Sequence, residues 1–306
     1  MPEAPEVQTI VSDLNRKIIG RKIVDVWTDW PKMIKTGAKV FEKGIKGAKI
    51  QKVRRRGKNI LIYLTKKPRT KNQKLITNDY LLLIHQKMTG HLLVGKWEVK
   101  KVSSMKYQVL SMVKGPLQER VNDFIRLIFY LDNGQMLALS DMRRFAKVLF
   151  GPAEEIEKIK ELKELGPDPL NPKTTFADFK LAIVKRRGPI KQVLMDQTAV
   201  SGIGNIYASD ILWLARIHPM RPADKLKESE LKVLWSASKK VLKQALKLRG
   251  TSTADFRDTS GRKGRYGEVR LAYQRTGEPC RRCKTLIKRL KQGGRSAFYC
   301  PKCQRL

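Results

Sequence analysis

The chain has 306 residues, 41% of them apolar, and 65 Lys or Arg against 28 Asp or Glu give a formal charge of +37. That length suits one large domain or two, and the apolar fraction is enough for a packed core, which excludes a disordered basic tail. So large an excess of one sign costs self-repulsion in the compact state and points to a polyanionic partner, for a DNA enzyme and a ribosomal or general RNA-binding protein alike.

The chain opens Met1-Pro2-Glu3-Ala4-Pro5-Glu6. An initiator Met before a small residue is readily removed, which leaves Pro2 as a free secondary amine beside a carboxylate. Such an amine can attack a sugar's anomeric carbon and form an iminium, and amine nucleophiles are used in this way. Taken by itself, Pro2 also reads as an ordinary start. From Pro5 the pattern is helical, with Val7, Ile10, Val11, Leu14 and Ile18 on one face and Gly20 as the stop. Glu3 and Glu6 then lie at the positive end of the helix dipole. The N-terminus lacks an apolar signal core, and the longest apolar runs, such as 60–64 and 80–84, fall far below the ~20 residues of a membrane span. The expectation is a cytoplasmic protein.

Residues 22–150 read as strands over 22–27, 49–54, 59–64, 80–85, 107–113, 124–131, 135–139 and 147–150. Turn signals at Gly57 and Asn133-Gly134 separate them. The expectation is a β-sandwich or barrel carrying one N-terminal helix. Within it, Lys58 follows Arg54-Arg55-Arg56-Gly57 at a turn, where it is a phosphate contact or reaches a site beside the N-terminus. Met88 and the run Asp141-Met142-Arg143-Arg144-Phe145 are core or loop residues able to wedge into a DNA stack.

Residues 151–172 read as a hinge, with a short charged helix and then Gly166-Pro167-Asp168-Pro169. Helices follow over 176–185, 190–200, 206–215 and 228–249, and a polar Gly-rich loop over 250–267. Gly202-Ile203-Gly204-Asn205 precedes the third of these helices. It makes a turn between packed helices or exposes N–H groups to a phosphate. Cys280-x2-Cys283, sixteen residues, then Cys300-x2-Cys303 uses all four cysteines and has the spacing of a tetrahedral zinc site. Eight Lys or Arg and no acid lie between the outer cysteines, which suits a hairpin along phosphate and one structural Zn2+.

These motifs come in a known order. Met1-Pro2-Glu3-x-Pro5-Glu6-Val7 is followed by Arg55-Arg56-Gly57-Lys58, His85-x-x-Met88-x-Gly90 and Asp141-x-Arg143-Arg144-Phe145. Then come Asp196-Gln197-x-x-Val200-x-Gly202-Ile203-Gly204-Asn205-Ile206-Tyr207-Ala208, Gly277-Glu278-Pro279-Cys280 and Gly294-Arg295-x-x-Phe298-x-Cys300-Pro301-x-Cys303-Gln304. Nearly end to end, the chain resembles bacterial formamidopyrimidine-DNA glycosylase, which excises 8-oxoguanine.

The resemblance implies an α+β fold of two lobes with DNA in the basic cleft between them. An N-terminal β-sandwich domain with its helix would span 1–151 and a helix–two-turn–helix domain with a lesion-covering loop 152–270. A C-terminal zinc β-hairpin would span 271–306. It makes Pro2 the nucleophile, Glu3 the acid/base and Glu6 a structural carboxylate. Lys58, Asn205 and Arg295 become phosphate ligands, with Lys58 also assisting the chemistry. Met88, Arg143 and Phe145 fill the gap left by the flipped base, and 251–266 covers it. Cys280, Cys283, Cys300 and Cys303 hold the zinc. The implied partner is damaged double-stranded DNA, with the protein a monomer associated with the cytoplasmic nucleoid.

Other readings are a glycosylase of the endonuclease VIII type acting on oxidised pyrimidines, or a non-enzymatic zinc-containing nucleic-acid binder. The chain departs from the family pattern at Ala4 for Leu, Gln8 for Glu, Gln86-Lys87 for Leu-Gly, Met142 for Pro, Ser209-Asp210 for Asp-Glu and Gln274 for Gly.

Overall fold

The computed structural model describes residues 1–66, 79–103, 106–252 and 255–306. Its contacts divide into two compact units. Met1–Pro2, Glu6–Lys163 and Thr251–Gly264 form the first; Glu3–Pro5, Glu164–Gly250 and Arg265–Leu306 form the second. Positions 253 and 254 of the expected lesion-covering loop lie outside the described residues.

Helix α1 (Ala4–Lys17) buries the predicted stripe Val7, Ile10, Val11 and Leu14, and Ile18 follows it into the core. Gly20 ends the segment with φ at 81°, a left-handed value that glycine adopts without strain. The unit continues with β1 (Ile23–Thr28), α2 (Ala38–Ile45), β2 (Lys49–Arg56), β3 (Asn59–Thr65), β4 (Asp79–His85) and β5 (Gly90–Gly95). Then come β6 (Trp97–Ser103), β7 (Lys106–Ser111), β8 (Ile125–Leu131), β9 (Met136–Asp141), β10 (Lys147–Pro152) and two short helices, α3 (Ala153–Glu157) and α4 (Lys160–Lys163).

Antiparallel pairing makes two four-stranded sheets, ordered β1-β8-β9-β5 and β10-β4-β3-β2. Ile60, Ile62, Leu82 and Ile84 from one join Leu92, Leu127, Phe129 and Leu139 from the other, and the α1 stripe, in one core. Neighbouring side chains on a strand point to opposite faces. Leu93 and Ile128 accordingly pack in a separate cluster with Trp97, Val99 and Val109 of the β6–β7 ribbon. The predicted sandwich is present. The sequence reading left out α2, β5 and β6, and it ran the strand over 107–113, where β7 stops at Ser111.

In the second unit α5 (Phe176–Val184) starts at a capping box, with Asp178 N donating to Thr175 Oγ1 and Thr175 N to Asp178 Oδ2. Helix α6 (Ile190–Met195) is shorter than the expected 190–200. At its end the Asp196 carboxylate accepts from Thr198 N and turns the chain. A double turn follows, fastened by Gln197, whose Nε2 donates to Ile203 O while its Oε1 accepts from Gly202 N. Helices α7 (Asn205–Ala215) and α8 (Glu228–Lys247) come next, and Phe179, Leu194, Tyr207, Ile211, Leu234 and Val241 share their core. The tail forms the hairpin β11 (Lys288–Gln292) and β12 (Arg295–Tyr299). Among the described residues no helix is long and apolar enough to cross a membrane.

Candidate active site and nucleic-acid interface

Pro2 is buried at the head of α1, and Glu3 next to it is 2% exposed. The N-cap of α7 is Gly204, which has no side chain with which to cap. The Glu3 carboxylate does so instead: Oε2 accepts from Gly204 N at 2.6 Å, and Oε1 from Ile206 N at 2.9 Å. Negative charge at that end of the helix dipole is favourable. A Cβ at position 204 would lie 2.6 Å from Glu3 Oε1, so any larger residue there would push the carboxylate off the α7 cap. Of the two readings of these glycines, the turn between packed helices is the one present. The Gly204 and Ile206 amides are bound to a carboxylate from the far end of the chain.

Around that cap the second unit gathers a polar cluster. Lys191, 1% exposed, donates from Nζ to Asn205 Oδ1 at 2.5 Å and to Ser296 O at 2.8 Å. Burial pulls its pKa down to about 8, with the Arg295 charge in the same direction and Glu3 opposing. Tyr273, pushed up by burial with Glu3 adding to the shift, also bonds Asn205. Lys191 and Arg295 line an open cavity of about 300 Å³. The structure thus brings Glu3, Asn205 and Arg295 into one region of the second unit. It adds Lys191 and Tyr273, which sequence reasoning missed. Lys191 carried a signal, being a lysine amid the buried Ile190, Val193 and Leu194 at the start of a short helix.

In the first unit Glu6 is buried and its Oε1 accepts from Thr251 N at 2.7 Å. It anchors the start of the Gly-rich loop. Lys58 follows Gly57, which turns the chain at φ 56°, and it is 5% exposed rather than a solvated loop tip. His85 is nearby. Burial first, then the charges of Lys87 and Lys58, depress its pKa to about 4.

Met88 lies in the β4–β5 turn and Arg143 and Phe145 in the β9–β10 turn. Met88 and Phe145 are 43% and 51% exposed. Buried Asp141 ties the two turns together. Its Oδ1 accepts from Thr89 Oγ1 at 2.6 Å and its Oδ2 from Ala146 N at 2.7 Å, while Arg143 N donates to Thr89 Oγ1. The Arg143 guanidinium lies 4.7 Å from the Phe145 ring centre, and Met88 and Phe145 line one cavity.

The Sγ atoms of Cys280, Cys283, Cys300 and Cys303 all lie within 4.8 Å of one another. A tetrahedral zinc with Zn–S near ~2.3 Å needs S···S spacings of roughly 3.8 Å, so the set fits this ion. The module packs on α7. Trp213 Nε1 donates to Cys280 Sγ at 3.3 Å, the Arg282 guanidinium covers the Trp213 ring, and Gln304 Nε2 donates to Ile217 O.

Fold and site define a zinc-finger protein whose N-terminal helix follows directly on Pro2 and Glu3 and whose exposed loops suit a polyanion. The family model of the formamidopyrimidine-DNA glycosylase N-terminal domain matches residues 1–148. That of the formamidopyrimidine-DNA glycosylase H2TH domain matches 165–257, and the zinc finger found in FPG and IleRS matches 277–306. The chain is 36% identical to the formamidopyrimidine-DNA glycosylase of Pelotomaculum thermopropionicum and 34% to that of Heliobacterium modesticaldum, over 100% of each chain. The complex of Lactococcus lactis Fpg with DNA containing an abasic site superposes at a TM-score of 0.82. It is 27% identical and covers 99% of this chain and 100% of that one. The chain belongs to the formamidopyrimidine-DNA glycosylase family.

Proposed function

We propose that the protein is a base-excision repair enzyme, a bifunctional DNA glycosylase and abasic-site lyase. It removes oxidised purines, 8-oxoguanine and formamidopyrimidines, from duplex DNA. The observation that carries this reading is the head of the chain: family membership over its whole length coincides with Pro2, buried at the start of α1, followed by a carboxylate anchored to the α7 N-terminus. Once Met1 is removed, the Pro2 nitrogen attacks C1′ of the flipped nucleotide. The N–C1′ bond forms as the glycosidic bond breaks, and the base leaves with a proton. The sugar ring opens with proton transfer to O4′ assisted by Glu3. The resulting iminium acidifies the C2′ proton, and successive β- and δ-elimination expels both phosphates and cuts the strand. Water then hydrolyses the iminium, which releases the sugar remnant as an aldehyde and returns the Pro2 amine. The α7 cap fixes the orientation of Glu3, and Lys191 holds Asn205 in place.

Lys58, Asn205 and Arg295 take phosphate oxygens, and Met88, Arg143 and Phe145 occupy the space the flipped base vacates, Arg143 facing the orphaned cytosine. One zinc on Cys280, Cys283, Cys300 and Cys303 is structural and keeps the β11–β12 hairpin, with Arg295, in shape. Residues 1–151, 152–270 and 271–306 are assigned as the catalytic, helix–two-turn–helix and zinc-finger domains. The protein acts as a monomer in the cytoplasm, on the nucleoid.

Excision from duplexes carrying either 8-oxoguanine opposite cytosine or thymine glycol tests the substrate. Faster release of 8-oxoguanine is expected, and faster release of thymine glycol would instead assign an endonuclease VIII-type preference.

A further inference from the structure

The cavity beside the exposed Met88 and Phe145 has a second wall that the reaction leaves unused. It is an open cavity of about 530 Å³ with Met1 on its lining, within the roughly 300–1,000 Å³ of ordinary ligand pockets, and removal of Met1 widens it. That wall is the segment Trp30 to Lys35, which the fold holds in place: Met33 is 1% exposed and Lys35 N donates to Val148 O of β10 at 2.9 Å. The Arg144 guanidinium lies 4.4 Å from the Trp30 ring centre, with its residue exposed. Arg144 has φ at 57°, left-handed for a residue with a Cβ, and such strain persists where the surroundings enforce it. Lys32 and Lys35 are exposed on the same wall, and among the described lining residues there is no acid.

A planar cation backed by an indole presents its free face to whatever enters. Arginine planes and aromatic rings are what nucleic-acid proteins stack bases on, and lysines beside them neutralise phosphate. We propose that this cavity is a subsite for one nucleotide of the strand opposite the lesion. Its base stacks on the Arg144 guanidinium, which Trp30 backs, and its phosphate lies between Lys32 and Lys35. The opposite strand is specified because Phe145, on the shared wall, neighbours Arg143, which faces the orphaned base. The inference rests on the glycosylase reading for its ligand, and on the cavity alone for its location.

The test measures binding to a duplex bearing a tetrahydrofuran abasic analogue, over a range of salt, for wild type, Trp30→Ala, Trp30→Phe, Arg144→Ala and the pair Lys32→Ala/Lys35→Ala. Loss of a stacked base should weaken binding about tenfold in Trp30→Ala and Arg144→Ala, with Trp30→Phe close to wild type. The lysine pair should flatten the log–log salt slope by about 0.9 per lost phosphate contact. Single methylphosphonates scanned along the opposite strand should reveal one position that weakens wild type but not the lysine pair. Arg144 and both lysines are exposed, so their variants keep the fold even if Trp30→Ala does not. Wild-type affinity and slope in all variants, or a methylphosphonate position found only on the damaged strand, would overturn the subsite. Failure of the wild type to prefer the abasic analogue over undamaged duplex would instead strike the glycosylase reading.

Discussion

Replacing Glu3 by Gln tests the link between the N-terminus and α7. The carboxylate accepts from Gly204 N at 2.6 Å and Ile206 N at 2.9 Å, and it is 2% exposed. Hydrogen bonds to a charged group contribute about 1.5–3 kcal/mol each and neutral ones about 1 kcal/mol. Gln keeps one acceptor oxygen but turns an NH2 towards amide donors, so one bond is lost and the other loses its charge. The net cost works out at roughly 2–4 kcal/mol, a fall of about 3–6 °C in Tm at about 2.1 cal/mol/K of unfolding entropy per residue over 306 residues. Circular dichroism melts of zinc-loaded protein give the global figure. Hydrogen exchange at the Gly204 and Ile206 amides gives the local one, and both amides should lose protection. A shift under about 1 °C with protection unchanged would refute the capping argument.

The acid limb should report two histidines, His91 buried and His85 partly so. His85 and His91 are held near pH 4, below the ordinary 6.5, in each case chiefly by burial; Lys87 and Lys58 add to the effect at His85 and Arg257 at His91, where Asp141 opposes it. A depressed folded pKa means the unfolded chain binds the proton first. Stability is therefore complete above pH 6.5 and is lost as pH falls to about 4, by roughly 3 kcal/mol per histidine. A His91→Leu variant should show a shallower fall of Tm over that window, and an unaltered slope would contradict the assignment. Lys87 and Gln274 stand where the family commonly has glycine, at φ 53° and 55°. Left-handed backbone costs a residue with a Cβ about 1–2 kcal/mol, so Gln274→Gly should stabilise by about 0.5 kcal/mol after glycine's own entropy cost; destabilisation by chemical denaturation would count against the strain. Chelation of zinc should lower DNA affinity and the melting temperature together, because the module packs on Trp213 of α7. Unchanged binding after confirmed metal loss would contradict a structural role.

What the sequence made legible was mostly local. Period and punctuation announced α1, short strand-like runs parted by turn signals such as Asn133-Gly134 announced the sandwich, and cysteine spacing announced the zinc. The missed elements lacked local signals. Helix α2 starts after Gly37 at φ 85° with no side-chain cap, β5 is bounded by Gly90 and Gly95, and α6 reads as longer than it is until Asp196 turns the chain. The real role of Gly204 was invisible because its partner, Glu3, is 201 residues away. Lys191 was passed over for the same kind of reason. Its partners Asn205 and Ser296 come from α7 and the zinc hairpin, and nothing within its own helix reveals them.

The most direct measurement is borohydride trapping on a duplex with 8-oxoguanine opposite cytosine, followed by peptide mapping of the adduct on protein whose Met1 is confirmed absent. A covalent complex at Pro2 is the expected result and would establish the iminium. Excision with the adduct at Lys58 would contradict the assignment of the nucleophile, and neither adduct nor cleavage from zinc-loaded protein would contradict the enzyme itself.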